Sequence, residues 1–172
     1  MTIDQLRSFI RDVPDFPKPG IIFKDITPLL RSPEALDTSC RLLAEPFLDA
    51  NVTAVAAIES RGFIFGSVVA RLLGTGFIPI RKPGKLPWTK RRHEYLLEYG
   101  SDALEIHDDA VSPTDNVLVI DDVLATGGTI VAASELLRGL GAKIAGSAVV
   151  IELGFLNGRE KVGAPVHSLL QY

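Results

Sequence analysis

Cysteine is almost missing from this 172-residue chain, in which Cys40 stands alone. A single thiol cannot close an intrachain disulfide, which excludes the disulfide-stapled secreted scaffolds and points to a reducing, cytoplasmic setting. Long apolar runs are missing too. None approaches the roughly eighteen residues of a membrane span, and Asp4, Arg7, Arg11 and Asp12 lie where a signal peptide needs an apolar stretch. The expectation is a soluble chain with no membrane partner. Three familiar loops are also lacking: no Lys follows the glycines at 127 and 128, no Gly-x-Gly-x-x-Gly occurs, and Gly-x-Ser-x-Gly is absent around Ser60. ATPase, dinucleotide and serine-hydrolase readings lose their main support.

Neither sign of charge dominates overall, but one does locally. Lys and Arg number 18 against 21 Asp and Glu, a net charge of -3. Yet Arg81, Lys82, Lys85, Lys90, Arg91 and Arg92 put six cations and no acid into twelve positions. That balance excludes a uniformly basic nucleic-acid binder and leaves room for a local anion site. The three histidines show no metal-ligand spacing, and Cys40 reads as a small buried hydrophobe. With 47% hydrophobic residues, the length suits one domain over residues 1–172.

Thr2 and Gln5 have capping-box spacing before an apolar face of Ile3, Leu6, Phe9 and Ile10, which predicts an opening helix. Pro14, Pro17, Pro19, Gly20 and Pro28 then punctuate a mostly irregular region holding a short extended segment at 21–23. Ser32 and Pro33 start a helix expected to run to about residue 49 despite Pro46. Strand signals at 53–58 and 76–80 flank a helical one at 63–73, the grammar of a βαβ unit. After the basic stretch, 94–99 and 103–107 read as a hairpin turning at 100–102. Residues 117–120 form a doubly buried strand, succeeded by a helix at 128–140 and strands at 142–151 and 166–170.

The most informative segment is that buried strand together with the turn after it: Asp121-Asp122, then Ala125-Thr126-Gly127-Gly128-Thr129 at the start of a helix. A glycine-rich turn into a helix lets backbone N–H groups converge on a phosphate at the carboxyl end of a strand. Carboxylates repel phosphate but accept from the vicinal hydroxyls of a ribose. Phosphate donors beside diol acceptors describe a sugar phosphate. Glu59-Ser60-Arg61-Gly62, between strand and helix, offers a second anion site, or else a structural ion pair between Glu59 and Arg61. The basic stretch, broken by Pro83, Gly84 and Pro87, reads as a mobile lid or as a solvated loop. Glu98 alone reads as a strand carboxylate facing water, and Phe23 and Leu153 read as core residues.

The strand, the Asp pair and Ala-Thr-Gly-Gly-Thr together resemble the phosphoribosyl pyrophosphate (PRPP) signature of the type I phosphoribosyltransferases. Residues 16–28, 59–63, 81–87, 97–100 and 158–161 narrow the resemblance to the adenine phosphoribosyltransferases, nearly along the whole chain. The resemblance implies an α/β fold, with a mostly parallel central sheet flanked by helices, a small hood from 14–30 and 152–160, and a flexible lid at about 81–100. It implies transfer of a phosphoribosyl group from PRPP to adenine, with Mg²⁺ carried by PRPP rather than by the protein, in a homodimer. Asp121, Asp122 and Ala125, Thr126, Gly127, Gly128 and Thr129 would hold the ribose and 5-phosphate. Glu59, Ser60, Arg61, Arg81 and Lys85 would hold the pyrophosphate, in a loop that commonly includes a strained peptide. Ile22, Phe23, Lys24 and Leu153 would hold adenine, with hydrogen bonds from the backbone near Lys24, and Glu98 would be the catalytic carboxylate. Two alternatives stay open: a PRPP-sensing regulator without catalysis, and a phosphoribosyltransferase for another base such as xanthine. The basic residues Lys90, Arg91 and Arg92 take no role from the resemblance.

Overall fold

The computed structural model describes residues 1–97 and 100–172. Helix α1 (Ile3–Arg7) closes its capping box in both directions. Thr2 Oγ1 accepts from the Gln5 N–H at 3.2 Å, and the Thr2 N–H donates to Gln5 Oε1 at 2.8 Å. The stretch expected to be mostly irregular is more ordered than its prolines suggest. Strands β1 (Arg11–Pro14) and β2 (Ile22–Asp25) pair antiparallel as a separate two-stranded ribbon, and α2 (Thr27–Arg31) comes next. Pro28 sits in the first turn of α2, where a missing N–H costs nothing.

Helix α3 (Pro33–Ala44) begins at the expected Ser32 cap but ends before residue 49. Pro46 has no N–H for the Leu42 carbonyl, so the chain tightens into a 3-10 turn at Glu45–Phe47. His167 Nε2 donates to the freed Leu42 carbonyl at 3.1 Å.

The rest of the chain runs β3 (Ala54–Ile58), α4 (Gly62–Leu73), β4 (Gly76–Ile80), β5 (Lys90–Leu97), β6 (Gly100–His107), β7 (Asn116–Leu124), α5 (Gly128–Gly139), β8 (Lys143–Glu152) and β9 (Val166–Gln171). The central sheet is parallel throughout, in the order β4-β3-β7-β8-β9. Period-two alternation divides its core. Val55, Ala57, Leu118 and Ile120 face the side of α3 and α4, while Ala54, Ala56, Ile58, Val117 and Val119 face the side of α5. Gly66 lets α4 lie close on β3, since a Cβ there would stand 2.5 Å from the Ala57 Cβ. No helix among the described residues is long and apolar enough to cross a membrane.

The hairpin differs from expectation at both ends. Gly100 and Asp102 belong to β6, paired with Leu97 and Tyr95, so no turn forms at 100–102, and β5 reaches back into the basic stretch as far as Lys90. That half of the stretch is tied into the fold. Lys90 Nζ donates to the Leu86 carbonyl at 3.3 Å, Arg92 pairs with Glu94 at 2.8 Å, and Arg91 Nη1 donates to the Gly139 carbonyl at the C-terminal end of α5 at 2.7 Å. At the other end of α5 the Tyr95 hydroxyl lies 3.5 Å from Thr129 Oγ1. Strand β5 therefore runs alongside α5, held at two points roughly 15 Å apart by helix and strand rise alike.

Candidate active site

Loops at the carboxyl ends of β3, β4 and β7 surround a cavity of about 460 Å³, the place where parallel α/β sheets gather ligands. Strand β7 does not stop before its carboxylates but carries Asp121 and Asp122 within its span. Both are buried, at 8% and 6% exposure, yet both line the cavity. Burial, and next the negative charge of Asp122, push the Asp121 carboxyl well above the usual carboxylate range. Asp121 Oδ1 accepts from the Asp122 N–H at 2.9 Å.

After β7 the chain turns at Gly127, whose φ of +84° suits glycine, and α5 starts at Gly128 with its first N–H groups free of intrahelical partners. Ala125, Thr126, Gly127 and Thr129 line a hollow of about 120 Å³ over that helix end, a setting for an anion. Gly158 closes the loop from behind. A Cβ on Gly158 would run into the Ala125 carbonyl, and one on Gly127 would stand 2.5 Å from the Gly158 carbonyl.

Glu59, Ser60 and Arg61 form the facing wall, and the Glu59–Ser60 peptide is cis. The Glu59–Arg61 ion pair considered from sequence does not form. Arg81 Nε pairs with Glu59 Oε2 at 2.6 Å, and Arg61 Nε pairs with Asp122 Oδ2 at 2.5 Å. Gly62 permits this approach, because a Cβ there would stand 3.0 Å from the Ile120 carbonyl and 3.1 Å from Asp121 Oδ1. Lys85 is not brought to the cavity: it is exposed, and its carbonyl accepts from Arg81 Nη1 at 3.2 Å. Lys82 lines the cavity instead, ion-paired to Asp102 and 3.3 Å from the Tyr95 hydroxyl. Burial would lower the pKa of the Lys82 ammonium, but the hydrogen bonds it donates to Asp102 and Tyr95 outweigh that cost and raise it.

Strand β2 presents its residues to two sides. Phe23 is half-buried, with the Phe16 ring edge-on at 5.2 Å and the Arg61 guanidinium 5.5 Å from its centroid, which sets it at the cleft. Ile22 and Lys24 turn the other way, toward an apolar cavity of about 600 Å³ that they share with Leu153, Phe155 and Tyr172. Phe23 and Leu153 are thus only partly buried, not the core residues their hydrophobicity suggests. The Lys24 ammonium is held by Asp12 at 2.7 Å and lies 4.1 Å from the Tyr172 ring, so its side chain is already engaged. Glu98 and Tyr99 lie outside the described residues.

Residues 25–167 match the phosphoribosyl transferase domain family. An adenine phosphoribosyltransferase of Nitrosococcus oceani is 56% identical over 171 residues, covering 99% of this chain and 100% of that protein. The chain belongs to the adenine phosphoribosyltransferase family. The crystal structure of the adenine phosphoribosyltransferase of Thermoanaerobacter pseudethanolicus superimposes with a TM-score of 0.96 at 46% identity, covering 99% of this chain and 100% of that one. That of Saccharomyces cerevisiae, complexed with an imino-altritol bisphosphate and adenine, superimposes with a TM-score of 0.92 at 40% identity, covering 98% of each chain. As a member of this family the chain has the type I phosphoribosyltransferase fold, and its central sheet carries the cleft between β3, β4 and β7.

Three residues near this phosphoribosyltransferase cleft escape sequence reasoning. Lys82 differs from its basic neighbours only in where β4 delivers it. Gly158 belongs to a segment that carries the resemblance, but a glycine's role in close packing has no signal in one sequence. Tyr172 lies far along the chain from β2, and nothing local announces that it meets Lys24.

Proposed function

We propose that this chain transfers the 5-phosphoribosyl group of PRPP to adenine, giving AMP and pyrophosphate. The observation that carries this reading is the position of Arg61, 2.5 Å from Asp122 and 5.5 Å from the Phe23 ring, which joins a diol-and-anion pocket to an aromatic platform. A ribosyl donor and a purine acceptor need those two surfaces side by side.

In this reading Asp121 and Asp122 accept from the ribose hydroxyls, while Ala125, Thr126, Gly127, Gly128 and Thr129 enclose the 5-phosphate. Glu59, Ser60 and Arg61, with Arg81, hold the pyrophosphate, and Lys82 takes the place on the cavity wall that Lys85 does not reach. Phe23 stacks on adenine against Leu153, and the backbone at Ile22 and Lys24 reads its edge. The bond from the anomeric carbon to pyrophosphate breaks, pyrophosphate leaves with the electron pair, and purine N9 bonds to that carbon. The transition state has oxocarbenium character, so fixed charge and excluded water do the catalysis. Glu98 takes the N9 proton.

Mg²⁺ suits this cavity as an ion carried by PRPP. Glu59 and Asp122 are each already matched by an arginine, so its hard oxygen ligands would come chiefly from the pyrophosphate and water. When bound, it would neutralise charge on the leaving group. We further propose one domain with its hood at 14–30 and 152–160 and its lid at 81–100, working in the cytoplasm as a homodimer. Ile64, Leu72 and Phe77, each 37% exposed on α4 and the sheet-edge strand β4, support a second copy as partner.

The test is a panel of bases with PRPP and Mg²⁺, monitoring pyrophosphate release. Turnover with adenine, and little with bases carrying a carbonyl in place of its amine, is expected. No turnover with adenine would overturn the reading, and binding of PRPP without turnover on any base would favour a sensor.

A further inference from the structure

Tyr172 grips both elements that flank the base in the proposed reaction, although it lies on neither. Its N–H donates to the Glu152 carbonyl at 3.0 Å, and its carbonyl accepts from the Gly154 N–H at 2.9 Å, so its backbone clasps Leu153 from both sides. Its ring faces two cations, with Lys24 Nζ at 4.1 Å from the centroid and Arg7 Cζ at 4.6 Å. Lys24 comes directly after Phe23 on β2 and is tied across the ribbon to Asp12 at 2.7 Å. Arg7 adds a bond of 3.1 Å to the Gln171 carbonyl.

Apolar packing does little to hold this part of the ribbon in place. Between β2 and Leu153 lies the cavity of about 600 Å³, and on its rim Ile22 is 56% exposed and Phe155 72% exposed. The cavity runs along this side of β2, and the Tyr172 ring supplies a directed contact between Lys24 and the end of β9. Phe23 and Leu153 are therefore both referenced to one residue outside the cleft, the first through the Tyr172 ring and Lys24, the second through the Tyr172 backbone.

We propose that Tyr172 is a positioning residue for the purine, setting the gap between Phe23 and Leu153 through its cation-facing ring. This rests on the assignment of Phe23 and Leu153 to adenine. The test compares wild type, Tyr172→Phe, Tyr172→Leu and Lys24→Met by steady-state kinetics with adenine and PRPP varied in turn. Tyr172→Leu keeps bulk and removes the π face, so the KM for adenine should rise about three- to tenfold, with kcat and the KM for PRPP nearly constant. Tyr172→Phe keeps the face and should restore the wild-type KM. Lys24→Met, which removes the cation and leaves the backbone, should reproduce the selective rise. Equal rises in both KM values, an unchanged adenine KM in Tyr172→Leu, or failure of phenylalanine to rescue would each overturn the inference while leaving the transferase reading intact. A wild-type chain that ignores adenine would overturn that reading and the inference with it.

Discussion

Arg61 and Asp122 meet across the cleft with Nε 2.5 Å from Oδ2, the carboxylate 8% exposed and the guanidinium 44% exposed. A charge pair that bridges the two anion loops is a contact that substrate must share or displace. Arg61→Met leaves Asp122 buried without its cation and removes a donor from the proposed pyrophosphate wall. Charged hydrogen bonds contribute about 1.5–3 kcal/mol, so the KM for PRPP should rise by about tenfold or more. Arg61→Lys should recover only part of it, because an ammonium cannot fork. Initial rates at varied PRPP decide the matter, and an unchanged KM would remove Arg61 from the site.

Asp121 makes the opposite demand on pH from an ordinary salt-bridged carboxylate. Its folded pKa lies above the unfolded one, chiefly through burial, so its contribution to stability falls as pH rises through and above the ordinary carboxylate range. Asp121→Asn removes that penalty and keeps an acceptor for the Asp122 N–H. The melting temperature of the variant should exceed that of wild type at neutral pH and converge with it in acid, while turnover drops. Equal melting temperatures throughout would argue against the buried-acid account.

Glu152 works the other way. Arg159 donates to it twice, at 2.9 and 2.5 Å, Ser168 adds a bond of 2.6 Å, and together they lower its pKa to about 2. The stability it contributes is complete above the ordinary glutamate range and is lost as pH falls from there through about 2. Glu152→Gln should cost on the order of 3 kcal/mol at neutral pH and flatten the acid limb of the stability profile. Urea unfolding at a series of pH values reads both effects.

Gly158→Ala should disturb the proposed phosphate loop from outside the cleft. The added methyl meets the Ala125 carbonyl, a backbone group that cannot rotate away. Overpacking of this kind costs about 1–3 kcal/mol, and the KM for PRPP should rise together with a lowered melting temperature. A wild-type melting temperature and KM would show that the loop yields freely.

Cys40 is fully buried, and burial pushes its thiol up to about 12. Native protein should therefore resist an aromatic disulfide reagent at neutral pH and react stoichiometrically once unfolded. Rapid labelling of the native chain would contradict the packing of α3 against the sheet.

The sequence is most legible where local pattern and tertiary role coincide. The βαβ grammar from β3 to β4, the opening capping box and the glycine turn into α5 are local, and each lies where its pattern puts it, although β7 runs on through Asp121 and Asp122 to Leu124. Boundaries fail where a distant group decides. Helix α3 ends at Ala44 because Pro46 frees a carbonyl that His167 then takes, and β5 starts at Lys90 because β6 and α5 offer it partners. A charge run alone cannot distinguish a solvated loop from a strand whose arginine caps a helix.

The α/β class and the glycine turn from β7 into α5 follow from the sequence alone, because a buried strand, an acid pair and a glycine turn into a helix are short-range chemistry. The family follows as well, through motifs in one order along nearly the whole chain. Packing settles which charges meet: Arg61 with Asp122 rather than Glu59, Lys82 rather than Lys85 on the cavity wall, and Tyr172 between Lys24 and Arg7. The reason is physical. Ion pairs and ring contacts form between groups brought together by packing, and the separation of two residues along a chain says little about their separation in space.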